Sequence, residues 1–235
     1  MASPENDRCA LTEEEREYYS LSARVYPVFA PFYDVVTFPF RSLRRTVASL
    51  ADLGRSARVL DVATGTGEQA LAFAERAGEV VGVDQSQAML RIARRKSRLS
   101  KLSFLQADAT ALPFADEAFD LSCVSFALHE MPASIRARVV REMARITRQG
   151  GSVVIVDYAL PRGRIASWVV YHGVKLFERD HYASFVRCDL DSLLESAGIG
   201  PAKHHRALAG AARISIGRKT EALARAEEDP RRTSP

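Results

Sequence analysis

The segment VLDVATGTGEQA, Val59 to Ala70, constrains the fold more than any other part of the chain. A short apolar run leads into a turn holding Gly65 and Gly67, and a helical stretch follows, with Ala70 completing a Gly-x-Gly-x-x-Ala pattern. Strand, glycine turn and helix in that order form the first unit of a doubly wound α/β sheet, whose ligands bind beyond the carboxyl ends of the strands. Gly65 and Gly67 admit a backbone approach that a Cβ would block. An acid, Asp61, lies inside the apolar run, four residues before Gly65.

The alternation continues. ARVLDVA, EVVGVD, LSFLQAD and FDLSCVSFAL read as four strands, with GEQALAFAERA, SQAMLRIARRKSR and PASIRARVVREMARIT as helices, and Gly150-Gly151 opens a fifth strand, SVVIVDYAL. These strands are continuous apolar runs, as in strands covered on both faces by helices, so they are expected to be mostly parallel. DLDSLLESAG reads as a helix with an Asp cap and a Gly stop. AKHHRALAG and AARISIGRK are expected to pair antiparallel at the sheet edge. The fold class is therefore α/β: a Rossmann-like doubly wound sheet, mostly parallel and seven-stranded, with an antiparallel edge strand. Before it, LTEEEREYYSLSARVY is a predicted helix with Thr12 as N-cap and Glu15 as its box partner. Pro27, Pro31 and Pro39 are expected to break up the aromatic segment that follows. Arg41 to Leu53 is predicted as a second helix, ended by Gly54.

Two further acids sit at strand ends. Asp84 closes the second strand, 23 residues after Asp61, the spacing at which an acid reaches ribose hydroxyls; it also competes with Ser86 to cap the next helix. Asp108 closes the third strand, where it suits an adenine amino group. Asp61 then discriminates between cofactors. A dinucleotide places its pyrophosphate at the glycine turn, where a carboxylate repels it. S-Adenosylmethionine carries a sulfonium and an ammonium group and no phosphate, so Asp61 favours it over a nicotinamide dinucleotide.

VLDVATGTGEQA, VVGVDQSQAML, FLQADATALPFADEAFD and VSFALHEM occur in the order found in class I S-adenosylmethionine-dependent methyltransferases. The chain resembles that class over about residues 20–218. In detail, including FAPFYDVV near the N-terminus, it resembles the ubiquinone/menaquinone biosynthesis methyltransferases and their relatives, among them bacterial phospholipid N-methyltransferases. The resemblance implies that Asp61, Ala63, Gly65, Thr66 and Gly67 cradle the methionine portion of the cofactor. Asp84 and Gln85 would hold the ribose, Met89 would pack near the adenosine, Asp108 and Ala109 would contact adenine, and Ser125 would line the floor. It divides the chain into an N-terminal helical lid (1–53), a methyltransferase domain (54–220) with a substrate-side insertion (161–188), and a disordered tail (221–235).

On the substrate side, His129 and Glu130 follow the fourth strand directly, and His129 titrates near neutral pH unless perturbed. His129 is the candidate general base, or else a residue that only closes the pocket wall; Tyr33 is the second catalytic candidate. Tyr26, Tyr33, Trp168, Tyr171, His172, His181 and Tyr182 would form an aromatic lid over a flat or lipidic acceptor. This chain has SFALHE where the quinone enzymes resemble SFGLRN, and its segment between the fifth strand and the last helix is shorter. The expected activity is methyl transfer to a small-molecule, quinone-like or lipid acceptor. Phospholipid N-methylation and a non-catalytic S-adenosylmethionine-binding role are the alternatives. A nicotinamide oxidoreductase shares the glycine turn and leaves Asp61 and Asp108 unexplained.

Composition narrows the remaining classes. No run of ~18 uncharged apolar residues exists, as a membrane span requires, and the N-terminus lacks a signal-type apolar core; a cytoplasmic location is expected. Cys9, Cys123 and Cys188 are scattered, and His204 and His205 have no partner at ligand spacing, so no disulfide framework and no metal site are expected. RIARRKSRLSK, Arg91 to Lys101, carries six positive charges and no acid. No aromatic residue interleaves it to stack bases, so no nucleic-acid partner is expected. The run reads as a solvated helix face, or, with the N-terminal helix, as a peripheral contact to anionic lipid. Nothing in the sequence specifies an oligomeric state.

Overall fold

The computed structural model describes residues 11–97, 99–175 and 181–220; the tail expected to be disordered lies outside them. Seven strands form one sheet: β1 (Arg58–Val62), β2 (Glu79–Asp84), β3 (Leu102–Gln106), β4 (Phe119–Ser125), β5 (Thr147–Tyr158), β6 (Lys203–Ala207) and β7 (Ala212–Arg218). Their order is β3-β2-β1-β4-β5-β7-β6. The first five are parallel. The closing pair lies at the sheet edge, and β7 is antiparallel to both β5 and β6, one place in from that edge. Strand order reverses between β1 and β4, the crevice where doubly wound folds bind ligands.

Helices cover both faces. In β1, successive side chains alternate between the two. Leu60 and Val62 join a core with α5 (Ala133–Ile146) and α8 (Leu190–Glu195). Val59 joins a second core with α2 (Arg41–Leu50) and α3 (Glu68–Ala74). The same alternation sends Asp61 to the second face, inside the protein, where it is 1% exposed. Helix α4 (Gln87–Lys96) joins β2 to β3, while α6 (Arg164–Lys175) and α7 (His181–Val186) occupy the segment after β5.

Helix α1 (Glu13–Val36) departs from expectation: it runs through Pro27 and Pro31. Each proline removes one helix hydrogen bond and costs about 3 kcal/mol in a free helix. Tertiary contacts along the helix offset that cost. Its capping box, Thr12 with Glu15, forms as expected, and Glu15 also accepts from Arg138 and Ser134 of α5 at 2.7 Å. Tyr19 donates to Asp108 at 3.1 Å, and Tyr26 donates to Glu130. Asp34 accepts from Thr66 at 2.5 Å and from Lys96 at 2.8 Å.

Two smaller expectations are corrected. Helix α2 stops at Leu50, and Asp52 rather than Gly54 takes the left-handed conformation, at φ 47°. Gly150 and Gly151 lie within β5, not at its start. The register jumps there from Phe119↔Thr147 to Leu121↔Ser152, and a Cβ on Gly151 would lie 2.8 Å from the Asp120 carbonyl oxygen.

Candidate active site

Two adjoining cavities of about 1080 and 360 Å³ lie beyond the carboxyl ends of β1, β2 and β4, and α1 lines both. Tyr33, Ala63 and Phe126 are common to their walls. Ala63 and Phe126 directly follow β1 and β4, and both adopt the left-handed region, at φ 53° and 52°. That conformation costs a non-glycine residue roughly 1–2 kcal/mol. It turns each chain sharply at the strand end, on the two sides of the crevice.

The smaller cavity is lined by Asp84, Gln85, Met89, Asp108 and Ala109. Asp84 accepts from the backbone N–H of Gly65 and of Ser86, both at 2.8 Å, so this acid organises the glycine turn. Burial raises its pKa against those bonds. The helix cap is Ser86, whose hydroxyl accepts from Met89 N–H. Asp108 accepts from the N–H and hydroxyl of Thr110, and from Tyr19. Arg91 is the one basic residue among the described residues lining this cavity, against Asp84, Asp108 and Glu130.

The larger cavity is lined by Asp61, Thr66, Ser125, His129 and Tyr158, among others. Thr64 donates to Asp61 Oδ2 at 2.5 Å. Asp61 Oδ1 is buried with no hydrogen bond of good geometry among the described residues, while the backbone N–H of Ala70 lies close enough to favour its carboxylate. Burial pushes this carboxyl up to about 7, with the Thr64 bond opposing the shift. A buried acid left with an open lone pair is suited to an incoming cation or N–H donor. His129 and Asp157 are 2% and 3% exposed, and His129 Nδ1 lies 2.7 Å from Asp157 Oδ1. Asp157 also accepts from the backbone N–H of His129 and of Tyr158. A carboxylate so supplied favours the tautomer with the proton on Nδ1, leaving Nε2 basic. Nε2 lies 3.8 Å from Glu130 Oε1, and the Tyr158 ring packs edge-on to the imidazole.

The remaining predicted residues divide. Gly65 (φ 55°) forms the turn, with the Tyr33 ring 3.8 Å from where its Cβ would stand. Neither Gly65 nor Gly67 is among the residues that line the two cavities, and Gly67 is held by its packing. It adopts φ 81°, and a Cβ there would fall 2.7 Å from the Phe104 ring, so it serves helix–sheet packing rather than ligand approach. Tyr26, Tyr33 and His181 line the larger cavity. Tyr182 is fully buried, Tyr171 packs against it, and Trp168 faces outward at 64% exposure beside His172. Trp168, Tyr171, His172 and Tyr182 of the expected aromatic lid therefore line neither cavity. In the basic run, Lys96 pairs with Asp34 and Glu68. Arg94 and Lys101 donate to the carbonyls of Phe104 and Ala77. Those three side chains are spent within the protein.

Sequence reasoning missed Asp157. The signal was present in IVDYA: an acid at the carboxyl end of the fifth strand, the same pattern that marked Asp84 and Asp108.

The acids around the smaller cavity and the open lone pair of Asp61 fit a cofactor with hydroxyl, amino and ammonium groups and no phosphate. A family model described as "Methyltransferase domain" matches residues 59–151. The chain is 37% identical over 144 residues to the demethylmenaquinone methyltransferase of Paenarthrobacter aurescens, which covers 59% of this chain and 55% of that one. The chain thus spans about half the length of that relative. It is 27% identical over 231 residues to the demethylmenaquinone methyltransferase of Bacillus velezensis, covering 88% of this chain and 98% of the other. Human N-acetylserotonin methyltransferase, solved in complex with S-adenosylmethionine, shares the fold, with a TM-score of 0.68 at 16% identity over 87% of this chain and 59% of that one. Residues 59–151 thus match the methyltransferase-domain family, and the chain is similar to the demethylmenaquinone and ubiquinone/menaquinone methyltransferases.

Proposed function

We propose that this chain transfers a methyl group from S-adenosylmethionine to an apolar, quinol-like acceptor, with His129 as general base. The His129–Asp157 pair, buried in the wall of the larger cavity beside an acid-lined smaller one, carries this reading. Asp84 and Gln85 would receive the ribose, Asp108 and Ala109 the adenine, and Asp61, Ala63, Gly65 and Thr66 the methionine portion. Met89 and Ser125 would complete the walls. When bound, the cofactor supplies an electrophilic methyl on a sulfonium.

His129 Nε2 takes the proton that the acceptor hydroxyl loses, and the resulting ring is electron-rich at oxygen and at the adjacent carbons. Asp157 fixes the imidazole and stabilises it once protonated, so it is a positioning residue. The walls and α1 hold the acceptor in line, which supplies much of the acceleration in a displacement. A phospholipid amine is protonated at neutral pH and would also need a base, so the base alone does not separate a quinol from a phospholipid headgroup. Within the expected lid segment, residues 11–53 cover the cavities.

The test follows S-adenosylhomocysteine release with a short-chain demethylated quinol, with phosphatidylethanolamine and with no acceptor. Release with the quinol is expected. Asp157→Asn should lower kcat by roughly 10²–10⁴-fold, shift the acid limb of the pH–rate profile and leave cofactor affinity nearly unchanged. Turnover of the phospholipid alone, or an Asp157→Asn enzyme with an unaltered rate and profile, would overturn the proposal.

A further inference from the structure

Helix α1 shows one face to the cavities and another to solvent. Val28, Phe32 and Val35 recur at helical spacing on the outer face, exposed at 74%, 64% and 76%. Helix α6 contains no buried residue, and it exposes Ile165, Trp168 and Val169 on one side. Both helices also reach the larger cavity, α1 through Val25, Phe29 and Val36 and α6 through Gly173 and Val174. The outward apolar residues therefore border the mouth of the acceptor chamber. An exposed apolar patch of this kind marks an interaction surface.

Asp34 aside, the charged residues nearest the apolar ones in sequence are basic, while the exposed acids Glu14 and Glu17 lie at the other end of α1. Arg24, Arg41, Arg45, Arg162, Arg164 and Lys175 are all exposed. Residues 158–175 contain no acid, and residues 23–46 contain only Asp34, which is half-buried and paired with Lys96 and Thr66. A second copy of the chain, docked by two-fold symmetry, would set this cationic rim against itself. An anionic phospholipid surface complements both the apolar residues and the rim. No helix among the described residues is long and apolar enough to cross a membrane, so the contact lies in the bilayer interface.

We infer that the outer face of α1 and the exposed side of α6 dock on an anionic phospholipid surface, which places the mouth of the larger cavity against the bilayer. Membrane contact thus moves from the Arg91–Lys101 run to this face. The inference rests on the quinol-methyltransferase reading only for what passes through the mouth.

Trp168 is the single tryptophan of the chain, so its emission reports the surface directly. The experiment adds phosphatidylcholine vesicles, with and without phosphatidylglycerol, and follows co-sedimentation and Trp168 fluorescence. Binding to the anionic vesicles with a blue shift is expected. The Phe32→Ser/Ile165→Ser double variant should weaken it at least about tenfold, while turnover of a soluble short-chain quinol stays near wild type. Arg91→Glu/Arg95→Glu should leave binding unchanged. Vesicle binding by a protein that turns over no quinol supports the surface and overturns the acceptor assignment alone. The docking inference is overturned by absence of binding, by an equal loss in the Arg91/Arg95 variant, or by a blue shift that grows with protein concentration without vesicles.

Discussion

Asp61 sits where one side chain must be both buried and ready to ionise. Its carboxyl is pushed up to about 7 by burial, whereas an unfolded aspartate titrates near ~3.9. Between these values the folded state holds more protons than the unfolded one, so Asp61 lowers stability as pH rises through that window. Pairing with a cofactor ammonium requires the carboxylate. Binding at about pH 6 should therefore release a proton, and affinity should rise towards about pH 7.5. Calorimetry in buffers of differing ionisation heat measures that proton directly, and Asp61→Asn should abolish it; proton uptake on binding would exclude the pairing. Asp61 and Asp84 were readable because they interrupt and end apolar strands, whereas Asp108, expected to close the third strand, lies two residues beyond its end at Gln106. The His129–Asp157 pair was only half readable: the two residues are 28 apart in sequence and meet only because β4 and β5 are neighbours.

At the scale of the element, α1 shows why local rules failed. Proline chemistry predicts a stop at residue 27, and the chain continues to Val36. What holds the second half is tertiary, above all Asp34 between Thr66 and Lys96. Lys96→Met removes one cation from Asp34 and Glu68 together and leaves Glu68 with Arg44 at 3.7 Å. The variant should show faster amide exchange over residues 27–36 and weaker cofactor binding, with little change in the melting temperature of the sheet; unchanged exchange there would show that the prolines need no such support. The basic run was half readable for the same reason: Arg91, Arg94 and Arg95 are exposed, as a solvated helix face requires, but Lys96 is not free. A sequence shows Lys96 among like charges and cannot show the acids brought to it from α1 and α3.

Across the whole molecule, the mostly parallel sheet, the helices on both faces and the closing pair were legible because apolar runs and glycine turns alternate without interruption. The bulge in β5 was not, since it depends on how β5 meets β4. Both cavities sit at the reversal of strand order, so filling the smaller one should brace β1, β2 and α1 together. Cofactor at ~100 times its Kd adds about 2.7 kcal/mol, which for a domain of this size raises Tm by roughly 5–10 °C. Scanning calorimetry with S-adenosylmethionine against NAD checks this, and a shift with NAD alone would contradict it. Helix α1, lining both chambers, has a kinetic consequence. Under the proposed methyl transfer, one displacement of that helix would open the two chambers together, so that exchange of spent cofactor and departure of methylated product would be a single event. Turnover would then be clocked by the interval between successive openings, with chemistry confined to the closed period between them.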